Sequence, residues 1–166
     1  MKTPICSVCL QSDILCASCS RNIATKKISP AGLRIIKKLH EISRNVRSLE
    51  NVSVEKIIDT ESLIAIVCGK SDVANLVGRE GRITNELRKI SGKQVKIVGE
   101  GDYKSIISSL MFPAAIEGVG KLYSGGRESL KINMRRNQMR NLPAKKDDLL
   151  LAASEITGLR AEFNFQ

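Results

Sequence analysis

The chain of 166 residues has no tryptophan, three phenylalanines and two tyrosines, so only 3% of it is aromatic. An aromatic platform of the kind that RRM and OB folds offer to stacked bases has little material here. The single histidine, His40, lies among cationic neighbours without a matching carboxylate or cysteine arrangement, which argues for a surface or structural residue rather than a general base. No GxSxG, Walker, HExxH or paired-carboxylate constellation occurs. No capped helix begins directly after Gly118-Val119-Gly120 or Gly125-Gly126, so neither is a nucleotide fingerprint. The expectation is a protein that is not an enzyme. Also missing are an apolar N-terminal leader and any apolar run near the ~18 residues that cross a bilayer, from which a cytoplasmic location is expected.

What the chain has is positive charge: 27 Lys and Arg against 17 Asp and Glu, a net +10. The excess is +3 over residues 1–30, +4 over 31–100 and +3 over 101–166. Charge distributed this way suits an extended polyanion touching several surfaces better than a single basic tail.

Four of the five cysteines fall in two CxxC pairs, Cys6/Cys9 and Cys16/Cys19, separated by six residues. Two disulfides would need an oxidising compartment, and thioredoxin-like chemistry would need a surrounding βαβ pattern that is absent. The spacing predicts one Zn²⁺ held tetrahedrally by Cys6, Cys9, Cys16 and Cys19, a closed and therefore structural site. Lys2, Arg21, Lys26 and Lys27 are near enough in sequence to offset its charge. A segment of about 25 residues is too short to bury its own core, so the metal must supply much of its folding free energy. Cys68 sits in the apolar run Leu63-Ile64-Ala65-Ile66-Val67-Cys68 and reads as a small buried hydrophobe.

Ser29-Pro30 opens a helix, with serine able to cap and proline favoured in the first turn. Its expected apolar stripe is Leu33, Ile36, Leu39, Ile42, Val46 and Leu49, with Arg34, Lys37, Lys38, Arg44 and Arg47 on a solvated face. Two β-rich runs follow, Val54–Asp59 and Leu63–Cys68, then a short helix over Asp72–Val77. A second helix, Arg82–Ile90, places Ile83, Leu87 and Ile90 on one face and stops at Ser91-Gly92; Gln94–Val98 is a third strand. Between the short helices lies Gly78-Arg79-Glu80-Gly81. Two glycines that tolerate positive φ and carry no Cβ let a sugar-phosphate chain lie against the main chain, ahead of a helix N-terminus that favours phosphate.

Shifting the chain by 66 residues lays Ile90-Ser91-Gly92 on Ile156-Thr157-Gly158, Leu76 on Leu142, and Ile64, Ile66 and Cys68 on Leu130, Ile132 and Met134. The second copy is predicted to have a leading helix Asp102–Met111, a hairpin turning at Ser124-Gly125-Gly126, a helix pair around Pro143–Lys146 and a last strand Leu159–Phe165. The same shift puts Ala144-Lys145-Lys146-Asp147 where the first copy has its glycine loop. Both glycines are gone, and Asp147 brings a negative charge to where phosphate would sit. The second copy therefore reads as a packing partner, although Lys145, Lys146, Arg135, Arg136 and Arg140 keep a basic surface.

The order α-β-β-α-α-β with a GxxG loop resembles the KH domain in its type II topology, in which that loop clamps single-stranded nucleic acid. The expected fold is α+β, a small zinc ribbon or knuckle over residues 1–28 followed by two type II KH domains at 29–100 and 101–166, the second degenerate. Leu76-Val77-Gly78-Arg79-Glu80-Gly81 and Phe112-Pro113-Ala114-Ala115 extend the resemblance to the archaeal NusA-like proteins, over roughly residues 31–166. This resemblance implies an RNA-binding factor in transcription elongation or termination, with RNA polymerase as a partner. Gly78, Arg79, Glu80, Gly81 and Arg82 would form the backbone clamp, and Ile64, Ile66, Val73, Leu76 and Ile83 would line the base groove. Glu80 departs from the basic or small residue more usual there. The alternatives are a ribosomal or ribosome-associated protein contacting rRNA and, more weakly, a protein-protein adaptor. In the clamp reading, aspartate at both Gly78 and Gly81 is expected to weaken RNA binding without unfolding the chain.

Overall fold

In the computed structural model, which describes residues 1–166, the apolar run Leu63–Cys68 is a strand buried at all six positions. A strand buried at every position is covered on both faces. This strand, β2, lies between β1 (Val54–Asp59), antiparallel to it, and β3 (Gln94–Gly99), parallel to it. Ile64, Ile66 and Cys68 face one way, with Ile57, Val95 and Ile97, onto helices α3 (Pro30–Ser43), α4 (Val73–Val77) and α5 (Arg82–Ser91). Leu63 and Ala65 face the other way, with Ile58 and Val98, onto α6 (Tyr103–Met111) and α7 (Lys146–Thr157).

Helices α6 and α7 belong to the second repeat and are covered on their far side by its own sheet. That sheet repeats the first pairing: central β5 (Arg127–Met134) is antiparallel to β4 (Gly118–Ser124) and parallel to β6 (Arg160–Phe165). Here the pattern alternates, with Leu130, Ile132 and Met134 buried and Lys131 and Asn133 partly exposed, because only one face is covered. The layers are thus helices, sheet, helices, sheet. The fold is α+β, and each half follows the α-β-β-helix-helix-β order of the type II KH arrangement.

Local chemistry sets the boundaries. Ser29 caps α3, its hydroxyl accepting the Gly32 amide at 2.9 Å, and Pro30 fills the first position. Gly92 and Gly158, superposed by the repeat, end α5 and α7 in the left-handed conformation at φ 67° and 71°. Gly125 and Gly126, both at positive φ, make the two-residue turn of the β4–β5 hairpin.

Two expectations are corrected. The leading helix stops at Ser43, so Val46 and Leu49 belong to the following segment with its 3₁₀ turn (Arg47–Leu49). The buried face of α3 is Gly32, Ile35, Ile36, Leu39 and Ser43; Ile35, absent from the expected stripe, is fully buried. In the second half the first member of the helix pair is a 3₁₀ segment, Arg136–Asn141, and Pro143 lies in the link before α7.

The cysteine segment does not stand apart. Lys2 pairs with the chain beside β1, its amide donating to the Val52 carbonyl at 2.8 Å and its carbonyl accepting the Val54 amide at 2.9 Å. Ile5, Cys9, Leu10, Cys19 and Ile28 share one core with Ile35, Ile36 and Leu39. A short segment that cannot close a core by itself shares its neighbour's.

Candidate metal centre and nucleic-acid interface

Each CxxC pair opens a short helix, with the first cysteine at the N-cap and the second one turn in: Cys6 before α1 (Ser7–Gln11) and Cys16 before α2 (Ala17–Ala24). This geometry presents two sulfurs per turn and brings all four ligand atoms within 4.8 Å of one another. Cys6 Sγ lies 3.9 Å from Cys16 Sγ and 3.7 Å from Cys19 Sγ. Four thiolates at ~2.3 Å around a tetrahedral ion stand about 3.8 Å apart, so the donor set fits such an ion. Amides reach across the pair, Cys16 N to Cys9 Sγ at 3.1 Å and Cys6 N to Cys19 Sγ at 3.5 Å. The Cys16 amide favours the Cys9 thiolate, but the neighbouring Cys6 thiol and burial push that residue up to about 12. The Cys19 amide and thiol bring Cys16 down to about 7. A cation among these sulfurs is what permits all of them to ionise together.

The Gly78–Gly81 loop joins α4 to α5 through three residues at positive φ. Gly78 has φ 75° and ψ 173°, Glu80 φ 53°, and Gly81 φ 72° with ψ 19°. Gly78 is required by space as well, since a Cβ there would stand 2.9 Å from Ile83 Cγ1. Glu80 adopts the left-handed region without being glycine, at a cost of roughly 1–2 kcal/mol, and its side chain does not cap the following helix. The Gly81 amide donates to the Gly78 carbonyl at 3.2 Å, closing the loop on itself. Arg79 and Arg82 are exposed on either side of Glu80 and Gly81.

Hollows flank the loop on both sides. One, of about 780 Å³, lies against the end of α3 and holds Lys38, Arg47, Arg79 and Arg82, but Lys38 is already tied to Glu41 at 3.1 Å and Glu86 at 3.2 Å. The other, of about 660 Å³, runs from Gly81 along α5 and the outer edge of β3, with Arg88 and Lys96 among its walls. β3 is an edge strand, so its outward backbone groups are free of ladder bonds.

The apolar groove residues expected from sequence are distributed differently. Ile64, Ile66 and Leu76 are fully buried and are core, not groove wall, whereas Ile83, 7% exposed beneath Gly78, reaches the hollow on the α3 side of the loop. Val73 is half-buried and packs toward Gly99. The walls beside β3 come instead from Val77, Thr84, Ile97 and, across from them, Phe112, with the fully buried Val95 reaching them only at the edge of the strand. Alternation along Val95-Lys96-Ile97 was the available signal, because it points Val95 and Ile97 toward α5. His40 has its pKa lowered by burial and then by Arg44, and burial pushes the Cys68 thiol up to about 12. Neither residue adjoins a partner set that suggests chemistry.

The second half uses its loop position for packing. The Asp148 carboxylate accepts the Ser62 amide at 2.8 Å and the Ser62 hydroxyl, while the Lys145 amide donates to the Ser62 hydroxyl at 3.1 Å. Lys145 Nζ lies 2.8 Å from Glu61. The β1–β2 turn of the first half thus sits where a ligand would approach this position. On β6, Phe163 and Phe165 occupy the places of Ile97 and Gly99, stacked at 5.6 Å, with the Lys146 ammonium 5.2 Å from the Phe165 ring centre.

No protein-family model and no curated protein matches this sequence. Among solved structures, the crystal structure of the archaeal protein APE1850 is similar, with a TM-score of 0.56 and 20% identity, covering 81% of this chain and 96% of that one. The likeness is one of fold. No helix of the protein is long and apolar enough to cross a membrane.

Proposed function

We propose that the protein binds single-stranded RNA through the first repeat, with Gly78, Arg79, Gly81 and Arg82 holding the backbone. The observation that carries this reading is the positive-φ loop at the N-terminus of α5, flanked by two exposed arginines and opening onto an edge strand. An anion at that loop receives guanidinium groups and the N-terminus of α5 together. Unpaired bases then face a groove walled by aliphatic side chains and the outer edge of β3. Glu80 opposes phosphate but is outnumbered by Arg79 and Arg82. The second repeat supports the first and does not clamp RNA at its own loop.

The four cysteines hold one structural Zn²⁺ in this reading. All four coordination positions are protein sulfurs, so the ion is left no site for substrate or water. The cellular role follows the resemblance to NusA-like proteins and is a part in transcription elongation or termination. Purification from the native organism after RNA crosslinking tests it. Recovery of RNA polymerase subunits with nascent transcripts is expected, and recovery of ribosomal proteins with rRNA would move the role to the ribosome.

A further inference from the structure

The groove beside the loop is not made by the first repeat alone. Ser108 and Ser109 of α6, and Phe112 at its C-terminal end, close it from the second repeat, facing Arg88 and Lys96. Phe112 is 68% exposed, whereas the other two phenylalanines of the chain are half-buried against each other. A bare phenyl ring forgoes roughly 1.5–3 kcal/mol of burial, and here it does so inside a basic groove. Lys96 donates to the Phe112 carbonyl and holds its ammonium 5.4 Å from the ring centre.

Neither Arg88 nor Lys96 is in an ion pair. The buried Nε of Arg88 has no hydrogen-bond partner, although its Nη1 donates to Asn85 at 3.3 Å. Burial and then the charge of Arg88 lower the pKa of Lys96, as expected of cations with no anion between them. Glu80 is the single acidic residue among the walls. An aromatic face set among uncompensated cations matches a polynucleotide, which brings bases and phosphates in alternation.

We propose that Phe112 stacks an unpaired base of an RNA strand that crosses the Gly78–Gly81 loop and passes Arg88, so that the second repeat supplies one wall of the first repeat's binding groove. This rests on the RNA-binding reading above. It gives the degenerate repeat a direct part in recognition that does not depend on its lost loop, and it explains why α6 is placed beside the edge of β3.

The test uses the full chain with a short fluorescein-labelled oligoadenylate and compares wild type, Phe112→Leu, Phe112→Trp and Gly81→Asp, each checked for native circular dichroism. Replacing the ring with leucine should weaken binding about ten-fold, in line with one lost base stack. Phe112→Trp should retain affinity, and its emission, from the one tryptophan in the chain, should be quenched as RNA saturates. If Gly81→Asp weakens binding while Phe112→Leu stays within about two-fold of wild type or the tryptophan emission does not move, the stacking proposal is wrong and the loop reading stands. If wild type binds no oligonucleotide, both fall.

Discussion

Gly78 rests directly on Ile83: a Cβ built on it would stand 2.9 Å from Ile83 Cγ1 and 3.0 Å from Cδ1, on a backbone at φ 75°. Gly81, also at positive φ, has only Asn85 Nδ2 near, at 3.9 Å. The two loop glycines therefore differ in what they resist. Gly78→Ala should cost about 1–3 kcal/mol through strain and displacement of Ile83. Gly81→Asn, in a left-handed conformation that asparagine tolerates, should cost less than about 1 kcal/mol. Urea denaturation of the two variants measures the difference. The same geometry corrects the expectation that aspartate at both glycines leaves the fold intact, since the change at Gly78 disturbs the core beneath it.

Asp148 couples the repeats through Ser62. Burial raises its pKa, but the two hydrogen bonds from Ser62 outweigh that and the net shift is downward. A carboxylate depressed in the folded state contributes stability that is fully present above its unfolded pKa of about 3.9 and is lost as pH falls through the lower folded value. Asp148→Asn should destabilise the protein by about 1–3 kcal/mol at neutral pH. Its stability should also fall less steeply than that of wild type as the medium is acidified below about pH 4. Denaturation midpoints across that range check both.

The cysteine cluster shares its core with α3, so losing the metal should not unfold the N-terminal segment in isolation. Chelation under reducing conditions, or Cys9→Ser, should lower the melting temperature of the main thermal transition. Elemental analysis of reduced, purified protein should find about one zinc per chain; a content far below that would remove the metal from the account.

Much of this arrangement was legible in the sequence. The bounds of β1 and β2, the cap at Ser29, the stops at Gly92 and Gly158 and the positive φ of both loop glycines all follow from local residue chemistry. The pairing of the repeats was also written there. Leu63–Cys68 is apolar throughout because it is covered twice, whereas Leu130-Lys131-Ile132-Asn133-Met134 alternates because it is covered once. What could not be read was which aliphatic residues reach the groove. Ile64, Ile66 and Leu76 have the same composition as groove residues, and only the packing of α3 and α5 over the sheet assigns them to the core. Phe112 was equally hidden, because its role depends on α6 lying beside β3, a contact between repeats rather than within one.

Lys145 and Lys146 give a contrasting test. Lys145 is held by Glu61 and by the Ser62 hydroxyl, and Lys146 lies over Phe165. Changing both to alanine should leave the Kd for single-stranded RNA within about two-fold, the scale of exposed charges away from the contact. Arg79→Ala with Arg82→Ala should weaken binding and reduce its salt dependence, by roughly one phosphate contact each. Titrations at two salt concentrations separate the pairs.

The most direct measurement of the central claim is the Kd of the full chain for a short single-stranded RNA, wild type against Gly81→Asp, by fluorescence anisotropy. That substitution puts a negative charge into the loop without the clash that Gly78 would suffer. The account predicts binding by wild type and a loss of at least about ten-fold in the folded variant, the scale of one charge-assisted contact. Equal dissociation constants for the two proteins would contradict it.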